Sequence, residues 1–472
     1  MRTVTLSALA LVVSAFAQTT GSIEGTVTDP TQLAIPNATV KVAQQQTGVV
    51  TTTTTNSSGY YILENLPAGT YDIAVNQQGF KASLVQGIKL DIASQVRKDI
   101  ALEVGALSDS VTVQASTVQV ETSNGTVSSV ITREQISTAV LNGRHYSRLA
   151  MLLPGAVYQS SSDELSGAGL NAVGSPVSIN GLNALSSGWF VDGAYDVNLG
   201  NGSANTHVPV IDSIEEVQVQ TSNYSARYGT TGGSIINAVT RSGTSSFHGS
   251  AYEYFRNNDL DARNFFSPSV QALKQNQFGF TVGGPVIFPH YNKGRNKTFF
   301  FFSEDWRKRT NPTVSTTATP TAAMRAGDFG AEMARLGLPL LDPSTNQPFP
   351  NNVIPINRID ANAALLLKTY FPLPNYASGG FQNYFNNGVG TLSPRTDTGR
   401  LDHNLNDNIR LSFTIANDDI RTLQPNIAEG AFLFPVIRQR EATTGVDGNV
   451  HASFTICREL PMRSATRSRP TT

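Results

Sequence analysis

The sequence predicts a mainly β protein in three parts: a small N-terminal β-sandwich, a compact α+β unit, and antiparallel strands of transmembrane length. Three observations lead there. Charged residues make up 15% of the chain, well below the roughly 25% of ordinary soluble domains, while Gly, Thr, Ser and Asn are abundant. Apolar residues repeatedly alternate with polar ones, the period-2 signature of half-buried strands. No stretch reaches the ~20 apolar residues of a spanning helix, so a membrane-embedded form must be a barrel of strands.

Residues 1–17 read as a signal peptide. Arg2 is a short basic region, an apolar run starts at Leu6, and Ala15-Phe16-Ala17 is a small-x-small cleavage site. Export follows, and the single cysteine, Cys457, excludes an internal disulfide framework. The net charge of −1 gives no pull toward nucleic acid, so no such partner is expected.

Across residues 18–105, Ile23, Gly25 and Val27 alternate before the Asp29-Pro30 turn, and Ala38, Val40 and Val42 alternate after it. Asn56 and Gly59 turn the chain, Tyr61 and Leu63 share a face, Leu66-Pro67 and Gly69 turn it again, and Tyr71, Ile73 and Val75 share a face. Strands at this spacing make a small sandwich. The pattern Thr55-Asn56, Gly59, Tyr61, Leu66-Pro67, Gly69, Tyr71 and Gly79-Phe80 resembles the carboxypeptidase regulatory-like domain, a transthyretin-like or carbohydrate-binding-like β-sandwich. The resemblance implies a non-catalytic module, either a periplasmic spacer or a binder of carbohydrate.

Residues 106–245 mix signals. Thr132 and Gln135 match a capping box and predict a short helix, and Arg144 to Leu153 predicts another, ended by Pro154-Gly155. Val177 and Ile179, then "GWFVDGAYD" and "EEVQVQ", predict short strands of an α+β unit. The segment "IDSIEEVQVQTSNYSARYGTTGGSIINAVTRSGT" is similar to the end of the plug domain of TonB-dependent outer-membrane receptors. Its motif residues are Ile214, Glu215, Tyr228, Gly229, Gly232, Gly233, Ile236, Asn237 and Thr240. "TSNYSA" stands where the family carries Arg-Gly-Pro; with the preceding sandwich and "NGRHYSRLAMLLPGAV" it points to the Oar-like branch. The resemblance implies ligand capture by extracellular loops, a plug occluding the barrel, a periplasmic N-terminal domain and energised displacement through a TonB-type coupling protein. "DSVTVQA" is the candidate coupling segment.

Residues 246–456 read as the N-terminal part of a barrel in outer-membrane lipid. Phe278, Phe280 and Val282 oppose Gly279, Thr281 and Gly283; Ile409, Leu411, Phe413 and Ile415 oppose Arg410, Ser412, Thr414 and Ala416, within a hairpin over 398–416. Phe247 to Arg256 is the first barrel strand, with Tyr252 and Tyr254 as interface aromatics. Residues 307–397 form a long loop, extracellular by length, with short helices near Thr321–Arg325 and Ala361–Thr369. A plugged barrel of about 22 strands needs roughly 220 residues in strands alone, more than this region holds beside its loop. Residues 457–472 lose alternation and gain arginines, so the expectation is a C-terminally truncated, non-transporting fragment.

No His-Glu-x-x-His, Cys/His cluster or Gly-x-Ser-x-Gly occurs among the scattered histidines and serines. The chain is therefore expected to be no enzyme and to hold no cofactor, no metal and no catalytic residue; ligand-binding residues are unassigned. His248 reads as a boundary, Asp259 and Asp261 as a polar turn, the glycines of "SGAGLNAVG" as a flexible loop, and Trp189 and Phe190 as a core strand. The alternative is an exported carbohydrate-binding or adhesive β-protein.

Overall fold

A computed structural model describes residues 19–105, 110–114, 125–139, 141, 144–158, 177–183, 186–198, 203–204, 209–229, 232–262, 270, 273–375, 382–407, 409–424, 427–429, 432–434 and 439–454. The signal peptide, "SGAGLNAVG" and the 457–472 tail lie outside the described residues.

Alternation builds the first unit. Strands β1 (Thr20–Thr28), β2 (Thr39–Gln44), β3 (Val50–Thr54), β4 (Tyr60–Pro67), β5 (Gly69–Asn76), β6 (Ala82–Leu90), β7 (Gln95–Arg97), β8 (Ile100–Ala101) and β9 (Ser110–Gln114) form two sheets. Their orders are β4-β1-β7, with β8 also on β1, and β3-β2-β5-β6-β9. Ile23, Val27, Val40, Leu63, Ile73 and Ile88 are fully buried in the core, each contributing about 1.5–3 kcal/mol of apolar burial. Asn56 Oδ1 accepts from the Ser58 and Tyr60 N–H groups at 2.9 Å, tying the turn that leaves Gly59 at φ +71°. The described part of the candidate coupling segment, Ser110–Gln114, is β9, paired in parallel with β6; residues 109 and 115 lie outside the described residues.

The middle unit holds β10 (Val127–Thr132), α1 (Arg133–Thr138), β11 (Ala156–Tyr158), β12 (Val177–Ile179), β13 (Gly188–Val191), β14 (Ala194–Tyr195), β15 (Val197–Asn198), β16 (Ser203–Ala204), β17 (Ile214–Ser222) and β18 (Ile235–Thr240). Its main sheet runs β10-β17-β18-β13-β14, with β11-β12 and β15-β16 as separate pairs. The capping box forms: the Thr132 N–H donates to Gln135 Oε1 at 3.0 Å. The second expected helix is corrected to a 3-10 segment, Tyr146–Leu152. Its buried residues, Tyr146 with Leu149 and Ser147 with Ala150, recur every three residues, which suits three residues per turn. Trp189 is fully buried and meets Tyr146 edge-on at 5.5 Å, as a core strand requires.

The third unit is a wall. Strands β19 (His248–Asn257), β20 (Lys274–Pro285), β21 (Thr298–Thr317), β22 (Tyr384–Asn406), β23 (Ile409–Gln424) and, after the small pair β24 (Ile427–Glu429) and β25 (Phe432–Phe434), β26 (Gln439–Phe454) are its elements. The order β19-β20-β21-β22-β23-β26 is an open six-stranded sheet, antiparallel throughout. Leu401, Leu411, Phe413 and Ile415 share its exposed face, whereas Ser303, Thr398, Asp402 and Thr414 are buried on the other. The apolar-out, polar-in alternation is that of a transmembrane barrel.

Two expectations are corrected here. The loop does not begin at residue 307, because β21 runs to Thr317 and β22 starts at Tyr384. Between them α2 (Ala322–Arg325), α3 (Gly330–Leu336) and α4 (Ala361–Tyr370) fold in the loop, with Thr321 and Asp360 capping α2 and α4; α3 carried no sequence expectation. Tyr252 and Tyr254 are not interface aromatics: Arg144 of the middle unit sits 5.9 and 4.0 Å from their ring centroids, so both turn inward.

Candidate functional site

The nine motif residues come together, and most of them build structure. Ile214 and Ile236 are buried in the middle core. Asn237 is buried in β18, opposite Gln218 of β17. Tyr228 packs edge-on to Phe190 at 5.4 Å. Gly233 is required by close approach, since a Cβ would lie 2.8 Å from the Ser186 carbonyl, whose oxygen accepts the Gly233 N–H at 2.8 Å. A Cβ on Gly229 would meet the Ala226 carbonyl at 3.3 Å, and Gly232 faces open space. Only Glu215 and Thr240 reach the place where the middle unit, the wall and the sandwich meet.

At that junction a neutral quartet locks the middle unit to the wall. Arg400 of β22 pairs with Asp192 at 3.2 Å and with Asp402 at 3.0 Å, and Arg410 lies 3.6 Å from Asp402. Arg400 also donates to the Thr240 carbonyl at 2.8 Å and to its hydroxyl at 3.1 Å. Asp192 accepts from the Thr240 N–H at 2.8 Å, the Thr240 hydroxyl at 2.6 Å and the Thr414 hydroxyl at 2.9 Å. Asp402 accepts from Ser242 and Ser412, each at 2.6 Å. Charges taken this far from water hold only when their remaining lone pairs are satisfied, and these are. Sequence reasoning missed Asp192, Arg400 and Asp402. The available signal was charge at inward positions of a barrel strand, where "GRLDH" breaks the run of small polar residues.

The joint between the last middle strand and the first wall strand is equally tight. A Cβ on Gly243 would lie 2.3 Å from the Phe300 carbonyl oxygen and 2.6 Å from that of Gly284. Arg241 lies 5.0 Å from the Phe301 ring and 3.9 Å from Glu215; burial, and then the nearby Arg133, lower its pKa to about 10. His248 opens β19, its ring 3.3 Å from the Thr244 hydroxyl, a boundary as expected.

The sandwich docks at the same end. The Ser245 N–H donates to the Gln46 carbonyl at 3.0 Å. The Ile92 N–H donates to Glu216 at 3.1 Å, and Gln218 donates to the Ile92 carbonyl at 2.9 Å. A cavity of about 300 Å³ remains among the three units, lined by Gln46, Gly69, Glu215, Arg241, His248 and Arg410. Among the described residues, no group of three or more His, Cys, Asp or Glu is placed to hold a metal ion.

Comparison with known proteins finds two domain matches. Residues 22–103 match the carboxypeptidase regulatory-like domain, and residues 239–455 match the outer membrane beta barrel domain. The TonB-dependent transporter Oar of Myxococcus xanthus is 27% identical over 306 residues, which are 61% of this chain and 27% of that protein. Among solved structures, a variant of the ferric enterobactin receptor of Pseudomonas aeruginosa aligns at 16% identity and TM-score 0.34, over 62% of this chain and 33% of the other. The outer membrane transporter YddB of Escherichia coli aligns at 10% identity and TM-score 0.39, over 69% and 37%. The chain thus spans between about a quarter and two fifths of the length of these relatives. The chain is similar to the TonB-dependent transporter Oar, and it carries a carboxypeptidase regulatory-like domain and an outer membrane β-barrel domain, which indicate the outer membrane as its location.

Proposed function

We propose that this chain supplies the plug and the first wall strands of a TonB-dependent receptor that imports an unidentified ligand, without covalent chemistry. The observation that carries this reading is the quartet Arg400–Asp192–Asp402–Arg410, which holds the middle unit against the inward face of the wall. A domain seated this way against the inward face of a closed barrel occludes its lumen. On this reading residues 106–245 are the plug, residues 18–105 a periplasmic module docked beneath it, and residues 318–383 part of the ligand-capturing outer face. By itself the open sheet leaves β19 and β26 as edges. Edges in lipid cost several kcal/mol per unpaired group, so we infer that these strands transport only when further strands close the barrel.

The coupling partner approaches from the periplasmic side, and β9 is the segment proposed to engage it. The test is binding of the purified periplasmic domain of a TonB-type protein to the full chain in detergent micelles. Binding is expected, and Val111→Pro or Val113→Pro, which remove backbone donors, should abolish it. A chain that binds no such domain would sink the energised-import reading, and unchanged binding in both variants would remove β9 from it.

A further inference from the structure

The cavity of about 300 Å³ where the three units meet is lined by a guanidinium group that its neighbours only partly compensate. The Arg241 side chain is 12% exposed, and its ion partner Glu215 stands 3.9 Å away, beyond hydrogen-bond reach. Its guanidinium otherwise meets the Thr281 hydroxyl at 3.5 Å and the Phe301 ring at 5.0 Å. Arg133 lines the same cavity, lies 4.0 Å from the same carboxylate and donates to the Ile214 carbonyl at 3.3 Å. Strand order explains why the three gather. Arg133 opens α1 directly after β10, Glu215 is the second residue of β17, and Arg241 follows the last residue of β18. β17 lies between the other two strands, Thr132 pairs with Glu216 and Thr240 pairs with Ile214, so both arginines leave the sheet beside Glu215.

Charge and size select the occupant. The charges that act on Arg241 are those of Arg133, Glu215 and Asp212. Asp212 is already held by Arg144 at 2.7 Å, and Asp192 and Asp402 are held by Arg400 at 3.2 and 3.0 Å. Two guanidinium groups are left to share one carboxylate. A guanidinium taken out of water calls for an anion whose oxygens complete its hydrogen bonds, and its planar fork matches carboxylate and phosphate oxygens in pairs. The sandwich adds a neutral donor to the same space. Gln46 lines the cavity, and because its Oε1 accepts from the Thr70 N–H at 3.3 Å, its amide nitrogen is the atom left to donate. A volume of about 300 Å³ is at the lower end of ligand pockets, which suits an oxyanion of a few atoms rather than a bulky ligand.

We propose that Arg133 and Arg241 form a binding site for a small oxyanion, a phosphate or a carboxylate, in the cavity between the sandwich, the middle unit and the wall. The site goes beyond the receptor reading, which needs no anion here. Inorganic phosphate and citrate are the probes, titrated by calorimetry into the full chain in detergent micelles at low salt. At least one is expected to bind, and the two arms tell phosphate from carboxylate preference. Arg133→Gln and Arg241→Gln should each weaken that binding about tenfold or more, the loss of one hydrogen bond to a charged group. Glu215→Gln should do the reverse and tighten it severalfold, because it removes the carboxylate that competes for both guanidinium groups; damage to the packing would weaken binding instead. Arg421→Gln, on the exposed face beside Asp419, should bind as the unaltered chain does. Circular dichroism shows whether each variant is folded, and Glu215→Gln carries the comparison if an arginine variant is not. Binding of neither probe, binding that survives both arginine variants, weaker binding in Glu215→Gln, or an equal loss in Arg421→Gln overturns the site. None of these results touches the coupling-domain test, so the two readings fail separately.

Discussion

Arg400 does most to join the two large units, because it neutralises a carboxylate from each while capping the end of β18. Removing one partner of a buried, hydrogen-bonded ion pair costs about 3–5 kcal/mol, since the other charge is left without compensation. Arg400→Met is therefore expected to lower stability in denaturant by that amount, chiefly through Asp192, because Asp402 keeps Arg410. Adding Asp192→Asn should recover at least ~1 kcal/mol, the coupling that a double-mutant cycle isolates. Additive losses would show that the pair is not coupled. Gly243 matters for a different reason. Two carbonyl oxygens stand within clashing distance of an added Cβ, and neither belongs to a side chain that can swing away. Gly243→Ala should cost about 1–3 kcal/mol, as overpacking does, and should speed proteolytic release of the middle unit, whereas an equivalent Gly232→Ala should not, its surroundings being empty.

Among the elements, β17 carries both the middle sheet and the contact to the sandwich. Burial, and then the charge of Asp91, push the Glu216 carboxyl up from 4.5 to about 8. The folded chain therefore holds a proton here that the unfolded chain releases above pH 4.5, so stability falls as pH rises through the window from 4.5 to about 8. The slope is at most about 1.4 kcal/mol per pH unit. Glu216→Gln keeps an acceptor for the Ile92 N–H and should flatten the decline; an unchanged slope in that variant would assign it to other groups. Strands such as β20, β23 and those of the sandwich were legible because side-chain alternation is a local property of the chain. The lengths of β21 and β22 were not, because Pro312 and Pro394 read as breakers. Pro312 lies beyond the last β20 partner, Arg309, where β21 pairs on one side only and the missing donor costs no ladder bond. Pro394 falls where the β21–β22 pairing lapses between Arg395 and Leu392 and resumes in the same register. The inward turn of Tyr252 and Tyr254 depends on Arg144, more than a hundred residues away in sequence, and the quartet likewise joins three separate segments. The motif found the strands that carry the site, but tertiary contact decided which charges occupy it.

Across the whole molecule, connection lengths predict which end faces out. Residues 286–297 and 407–408 join wall strands at the end where the sandwich docks, and residues 258–273 and 318–383 join them at the other. Outer-membrane barrels keep short turns in the periplasm and long loops outside, so on the receptor reading the quartet is expected near the periplasmic mouth and the helical loop at the cell surface. At ~3.3 Å per residue, β21, with 20 residues, extends to roughly 65 Å, far more than the ~25 Å apolar band of such a barrel, so its far half rises above the bilayer with β22 and carries that loop. Single cysteines report this directly once Cys457→Ser removes the native thiol. Thr345→Cys, exposed in the loop, should react with a membrane-impermeant maleimide on intact cells. Lys293→Cys in the β20–β21 turn and Ser57→Cys in the sandwich, also exposed, should react only after the outer membrane is opened. Labelling of Ser57→Cys on intact cells would invert the topology and put the helical loop on the periplasmic side, where no external ligand meets it first.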